Sequence, residues 1–242
     1  MLVLWHLLTL SGLPGTESLP SPIEVLASLV QLMGSSTFWV AIATTMRSWA
    51  IGLALCCLIG IPAGLLLGAS KPATVSTRWI LDFFRTIPTI ALLPLILLLF
   101  GPTMRMELTM IVLSAVWPML IQSMYAVKQI EPLHKWVMRV FRIGFADRLR
   151  YLWAPSVALF VSTGMRLAAT MSLLMAIAAE YIGGAPGIGQ QLSYMEQALD
   201  RPGVFAYAIT AGTIGFLINV LLQTGQDRLL WWHPIIRERR SR

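Results

Sequence analysis

Long apolar stretches, broken only by single charges, dominate this chain. Five windows are nearly free of charge. They are Ser48–Ser70 between Arg47 and Lys71, Thr86–Met104 between Arg85 and Arg105, Leu108–Val127 between Glu107 and Lys128, Tyr151–Ala179 interrupted only by Arg166, and Pro202–Gln226. A bilayer core about 30 Å thick needs about 20 apolar residues at a helical rise of 1.5 Å each, so every window predicts a transmembrane helix. None alternates like a barrel strand, and all are too apolar for a surface helix. Met1–Leu10 is apolar but only about half a span. It lacks the basic start and small-residue cleavage site of a signal peptide, so residues 1–12 read as the second half of a first transmembrane helix. The predicted fold is all-α: a polytopic membrane helical bundle of five full spans and one short or trimmed span, in a single domain over residues 1–242.

Between the spans the pattern changes. Leu13-Pro14-Gly15 and Leu19-Pro20-Ser21-Pro22 are breakers. Ile23–Met33 then repeats Val25, Leu26, Leu29, Val30 and Met33 at helical spacing, with Ser21 as N-cap, Pro22 at the first helical position and Glu24 in the first turn. Residues 21–34 therefore predict an amphipathic helix lying at the membrane interface. A second such element falls in the insertion 128–154. After the break at Ile130-Glu131-Pro132, Trp136, Val140, Phe141 and Ile143 form an apolar stripe among Lys135, Arg139 and Arg142. Gly144 is expected to cap that helix at its C-terminus, and Asp147 to cap a next short helix ending at Pro155. Such a stripe suits docking of another protein, or contact with anionic membrane lipid.

Composition agrees: 57% of residues are hydrophobic and 12% charged, against about 25% charged in ordinary soluble domains. That excludes a soluble single domain, and disorder needs the opposite composition. The net charge is +7, and thirteen of the eighteen basic residues fall in Ala69–Arg78, Lys128–Ala154 and Asp227–Arg242. The positive-inside rule places these connections, including the basic tail 227–242, in the cytoplasm, and six spans put the N-terminus there too. Trp79, Trp231 and Trp232 fit interfacial belts. A basic excess in such a chain marks cytoplasmic loops, so no nucleic-acid partner is expected. Cys56 and Cys57 are adjacent in an apolar run and have no zinc-ligand spacing.

Within the spans, Gly60, Gly64 and Gly68 stack on one helix face and permit close approach of another backbone, either in ordinary packing or in a dimer seam. Pro88 and Pro94 interrupt the third span and free carbonyls that lipid cannot satisfy. Arg85 lies at the mouth of the same helix. Arg166 and Glu180 share one span about 21 Å apart, too far to pair. Each costs about 2.5–3.5 kcal/mol at the bilayer centre, so each should face the bundle interior, a cavity or the interface. Arg85, Pro88, Pro94, Arg166 and Glu180 are thus candidate pathway or gate residues. No GxxxxGK[ST], HExxH or GxSxG occurs, and His6, His134 and His233 lie in separate segments. Nothing points to an enzyme, a catalytic residue or a metal site.

The chain resembles the transmembrane permeases of bacterial ABC importers, in the nitrate/sulfonate/taurine/bicarbonate branch, over nearly its whole length. The residues that carry the resemblance are, in order, Leu4-Trp5, Leu19-Pro20-Ser21-Pro22, Gly60-Ile61-Pro62-Ala63-Gly64, Ile87-Pro88, Ala91-Leu92-Leu93-Pro94-Leu95, Gly164-Met165-Arg166, Ala179-Glu180-Tyr181-Ile182, Gly187-Ile188-Gly189 and Trp232-His233-Pro234. The family's cytoplasmic signature corresponds to Met138-Arg139-Val140, Gly144 and Ala154-Pro155. Here the letters EAA are replaced, and the stretch from Gly144 to Pro155 is shorter than the family's pattern. The resemblance implies a type I importer fold in the inner membrane, with a second permease copy or a related chain completing the pore. It implies two ATPase subunits, holding the ATP and Mg²⁺, that dock near Trp136, Arg139, Val140, Phe141, Gly144 and Asp147. It also implies a periplasmic or lipid-anchored binding protein that delivers a small anion. The permease itself would hold no cofactor. A secondary carrier or channel using Arg166 and Glu180 is the alternative, and a scaffold or membrane enzyme ranks last.

Overall fold

A computed structural model describes Trp5, residues 19–130 and residues 132–231. The partial first span over 1–12, apart from Trp5, and the tail beyond Trp231 lie outside the described residues. Among the described residues the regular elements are all helical: α1 (Pro22–Met33), α2 (Ser36–Ala69), α3 (Lys71–Thr86), a 3-10 turn (Thr89–Leu92), α4 (Leu93–Phe100), α5 (Met104–Lys128), α6 (Pro132–Val140), α7 (Phe145–Arg148), a π-helical turn (Leu149–Trp153), α8 (Ala154–Gly183), α9 (Ile188–Gln197) and α10 (Arg201–Leu229). Four helices are long and apolar enough to span a membrane: α2, α5, the continuous run Ala146–Gly183, and α10. A fifth crossing exists if α3 and α4 are taken together.

Two of the five windows need correction. The first helix of the four starts at Ser36, well before Ser48, and carries Arg47 on an exposed face. Backbone hydrogen bonding does not stop at a charge that can point outward. The Thr86–Met104 window is not one straight helix. Pro88 holds Ile87 extended (φ −68°, ψ 121°), as the residue before a proline prefers, and α3 ends there. The chain turns by 70° before α4. Pro94 sits in the first turn of α4, where its missing N–H leaves no hydrogen bond unmade.

α1 forms where its caps predict. The Ser21 side chain accepts from the Glu24 N–H at 3.3 Å, and the Glu24 carboxylate accepts from the Ser21 N–H at 2.8 Å. This reciprocal box satisfies two donors at the helix start. Trp39 closes the other end, its indole N–H donating to the Met33 carbonyl at 2.8 Å. The predicted stripe divides between two faces. Val25 is buried and Leu29 packs inward, whereas Leu26, Val30 and Met33 are exposed.

The contacts define two compact units. One comprises Met1–Ala50, Ile90–Met110 and Leu173–Leu217; the other comprises Ile51–Thr89, Ile111–Ser172 and Ile218–Arg242. The core of the first gathers Phe38, Ile188 and Tyr207, with Leu29 and Leu32 of α1 against them. In the second, the glycine ladder of α2 lies on α5. A Cβ on Gly60 would stand 2.9 Å from the Met119 Cβ, one on Gly64 would run into the Leu120 carbonyl, and one on Gly68 would meet the Met124 carbonyl at 2.6 Å. The ladder face is therefore occupied within the chain, which answers the choice between internal packing and a dimer seam in favour of packing.

Candidate functional site

The segment that follows α5 builds an exposed apolar ridge. On α6, Leu133, Trp136, Val137 and Val140, followed by Phe141, recur at helical spacing and are all exposed, Trp136 at 66% and Phe141 at 73%. The ridge contains the predicted Trp136, Val140 and Phe141 and adds Leu133 and Val137. Arg139 belongs to the same helix. Ile143 leaves the stripe, because it is half-buried in the turn beyond.

The end of α6 differs from the expected glycine cap. The Phe141 N–H donates to the Val137 carbonyl at 3.0 Å and the Ile143 N–H to the Met138 carbonyl at 3.1 Å, with Arg142 in the left-handed region at φ 50°. This is the backbone pattern of a Schellman termination, and Arg142 rather than Gly144 takes its left-handed position. The Gly144 carbonyl instead accepts from the Arg148 N–H at 3.0 Å, opening α7. Asp147 lies exposed in the first turn of α7 rather than capping it. The following helix does not stop at Pro155. The π turn Leu149–Trp153 carries the chain into α8, and Pro155 falls in the first turn of α8. Sequence reasoning also missed Arg148. Its guanidinium donates to the Ile143 carbonyl at 2.8 Å and to the Met138 carbonyl at 3.5 Å, tying the end of α6 to the start of α7.

A second constellation lies in the unit that holds the end of α8. Glu180 and Glu107 are 0% and 1% exposed. α8 and α5 pack closely here, since a Cβ on Gly183 would reach 2.7 Å from the Met106 methyl. That packing sets the two carboxylates within reach of each other's charge. Thr45 stands beside Glu180 and Ser48 beside Glu107. Glu180 Oε2 accepts from the Gly189 N–H at 2.9 Å, and Thr45 Oγ accepts from the Ile188 N–H at 2.9 Å. Side chains from α8 and α2 thus satisfy two of the orphan donors at the start of α9. The glycines are steric requirements: a Cβ on Gly187 would occupy the Glu180 carboxylate, and one on Gly189 would strike the Ile177 carbonyl. The Tyr181 hydroxyl donates to the Glu196 carboxylate and closes the same junction. Ala179-Glu180-Tyr181-Ile182 and Gly187-Ile188-Gly189 are therefore one structural unit.

Glu107 escaped the sequence reading because it borders a charge-free window and looks like a loop residue. Its spacing held the signal, for it shares a helical face with the buried Met110 and Ile111. Arg166 is half-buried on α8, fourteen residues before Glu180, and the structure does not bring the two together.

Arg85 lines a third feature, a cavity of about 900 Å³ between α3 and the end of α5. Asp82 lies 3.9 Å from both Arg78 and Arg85, and the Lys128 ammonium sits 5.6 Å from the Tyr125 ring centre. Pro88 and Pro94 shape the bend beyond Arg85. No group of three or more His, Cys, Asp or Glu fit to hold a metal occurs among the described residues.

Known proteins agree with this architecture. The nitrate import permease protein NrtB of Leptolyngbya laminosa is 28% identical over 92% of this chain and 81% of its own length. The taurine transport system permease protein TauC of Escherichia coli (strain K12) is 26% identical over 96% of this chain and 86% of its own length. An inward-facing structure of the MetNI methionine ABC transporter shares the fold, with a TM-score of 0.66 at 16% identity over 79% of this chain and 95% of that one. The binding-protein-dependent transport system inner membrane component model matches residues 60–230, and this multi-pass membrane protein belongs to that family.

Proposed function

We propose that this ABC importer permease subunit moves a small anion across the inner membrane by alternating access, driven by ATPase subunits that dock on α6 and the turn after it. The observation that carries the coupling assignment is the row Leu133, Trp136, Val137, Val140 and Phe141, apolar yet exposed in this chain. Exposed apolar faces of this kind mark protein contacts, and aromatic anchors contribute most of the energy of such contacts. The basic connections put this face and the C-terminus on the cytoplasmic side. A solute-binding protein delivers from the opposite side, and a second permease copy completes the pathway. ATP and Mg²⁺ bind to the docking subunits. An anionic solute is supported by the nitrate permease among the relatives. The carrier or channel reading is weaker, because the Glu180 carboxylate is engaged in holding the start of α9.

Proteoliposomes test this reading. The permease reconstituted with its ATPase and binding protein should accumulate labelled anion only when ATP is supplied. Uptake by the permease alone, driven by an ion gradient, would establish the carrier instead.

A further inference from the structure

The α3–α5 cavity remains outside both the docking ridge and the carboxylate junction. Its lining is of two kinds. Arg78, Arg85 and Lys128 bring three positive charges against the single carboxylate of Asp82. The two arginine–Asp82 separations of 3.9 Å are long, and a guanidinium has five donors, so one carboxylate leaves most of them free for another oxyanion. Three basic residues against one acidic residue leave a net positive site that favours a bound counter-anion. The rest of the wall is mostly apolar, including Leu81, Ile121 and Met124, with Thr74 and Tyr125 adding hydroxyls.

Volume selects among anions. At about 900 Å³ the cavity lies near the top of the range for small-molecule sites. A nitrate-sized ion, comparable to a few waters of about 30 Å³ each, would leave most of it empty. A phospholipid headgroup with the first part of its acyl chains matches both the size and the divided lining. Trp79, 83% exposed, and Tyr125, 47% exposed, also line it, and such amphipathic aromatic residues are enriched at headgroup depth. Basic pockets between membrane helices bind such headgroups.

We propose that this cavity is a site for an anionic phospholipid, whose phosphate is held by Arg78, Arg85 and Lys128 while its glycerol and upper acyl carbons lie along Leu81 and Met124. The inference requires only that the chain is in a membrane, and does not depend on the identity of the solute or on the ATPase docking surface.

The test is native mass spectrometry of the full-length chain released from nanodiscs of phosphatidylglycerol, cardiolipin or phosphatidylethanolamine. The wild-type chain should retain phosphatidylglycerol or cardiolipin in preference to phosphatidylethanolamine by about tenfold, since all three carry the phosphate but only phosphatidylethanolamine adds an ammonium that the basic residues repel. The double variant Arg78→Gln, Lys128→Gln should lose that preference, and the charge-keeping Arg78→Lys, Lys128→Arg should retain most of it. Equal retention of the three lipids by the wild-type chain would overturn the proposal even if the Gln variant fails to fold. So would an unchanged preference in a folded Gln variant. Displacement of lipid by millimolar nitrate or taurine would assign the same oxyanion chemistry to a small solute and overturn the lipid assignment.

Discussion

Glu180 shows how one side chain fixes local architecture. Its carboxylate accepts the hydrogen bond of the buried Gly189 N–H. Glu180→Gln keeps an acceptor oxygen, whereas Glu180→Ala leaves the N–H unsatisfied in a dry site. The alanine variant should lose about 1–3 kcal/mol and the glutamine variant distinctly less. Thermal unfolding of the detergent-purified chain gives the ranking; equal loss in both would show that the charge, and not the acceptor, matters. Gly187→Ala places a methyl group where the carboxylate lies and should be at least as damaging as Glu180→Ala. At the ladder, Gly64→Ala meets backbone of α5 and should reduce the yield of monodisperse protein, while Gly212→Ala, with open space around it, should not. Gel filtration after membrane extraction separates the two.

At the scale of elements, caps and breakers were legible in the letters and helix continuation was not. Ser21, Pro22 and Glu24 announce α1 because the capping box is a contact within four residues. Ile87-Pro88 announces the end of α3 for the same local reason. The extent of α2 was hidden, because Arg47 ends a charge-free window without ending a helix. The join between Glu180 and Gly189 was hidden too: it depends on how the turn after α8 folds α9 back, which no periodicity encodes. The end of α6 was misplaced because glycine is the usual left-handed residue, and here Arg142 adopts that conformation. Arg142→Gly should therefore be tolerated, because relief of the left-handed conformation, worth about 1–2 kcal/mol, offsets the larger entropy that glycine loses on folding, and Arg142→Val should destabilise the chain, as thermal unfolding would report. Arg148→Ala removes the donors to the Ile143 and Met138 carbonyls and should loosen the α6–α7 turn. Faster proteolysis between Val140 and Phe145, with membrane insertion unchanged, is the expected sign.

For the whole molecule, the composition alone identified a membrane bundle, and the ordered motifs identified its family. The charge distribution adds a topology that can be measured. Single cysteines replacing Arg142 and Arg237 should react with impermeant reagent only from the cytoplasmic side, whereas one replacing Leu199 should react from the other side. The native Cys56 and Cys57 lie within α2, Cys56 buried, and are best replaced by serine in that experiment. Two-sided labelling of Arg142→Cys would reject the orientation.

The central claim is that energy enters this permease through the exposed ridge of α6. Its most direct test is co-purification of the tagged chain with its ATPase, comparing wild type with Phe141→Asp and with Leu199→Asp, which changes an exposed apolar residue in the turn between α9 and α10, outside the spans. The account predicts that Phe141→Asp weakens ATPase retention by tenfold or more, in line with loss of an aromatic anchor worth about 2 kcal/mol, while both variants still reach the membrane and Leu199→Asp keeps its ATPase. Retention of the ATPase by Phe141→Asp at the wild-type level would contradict it.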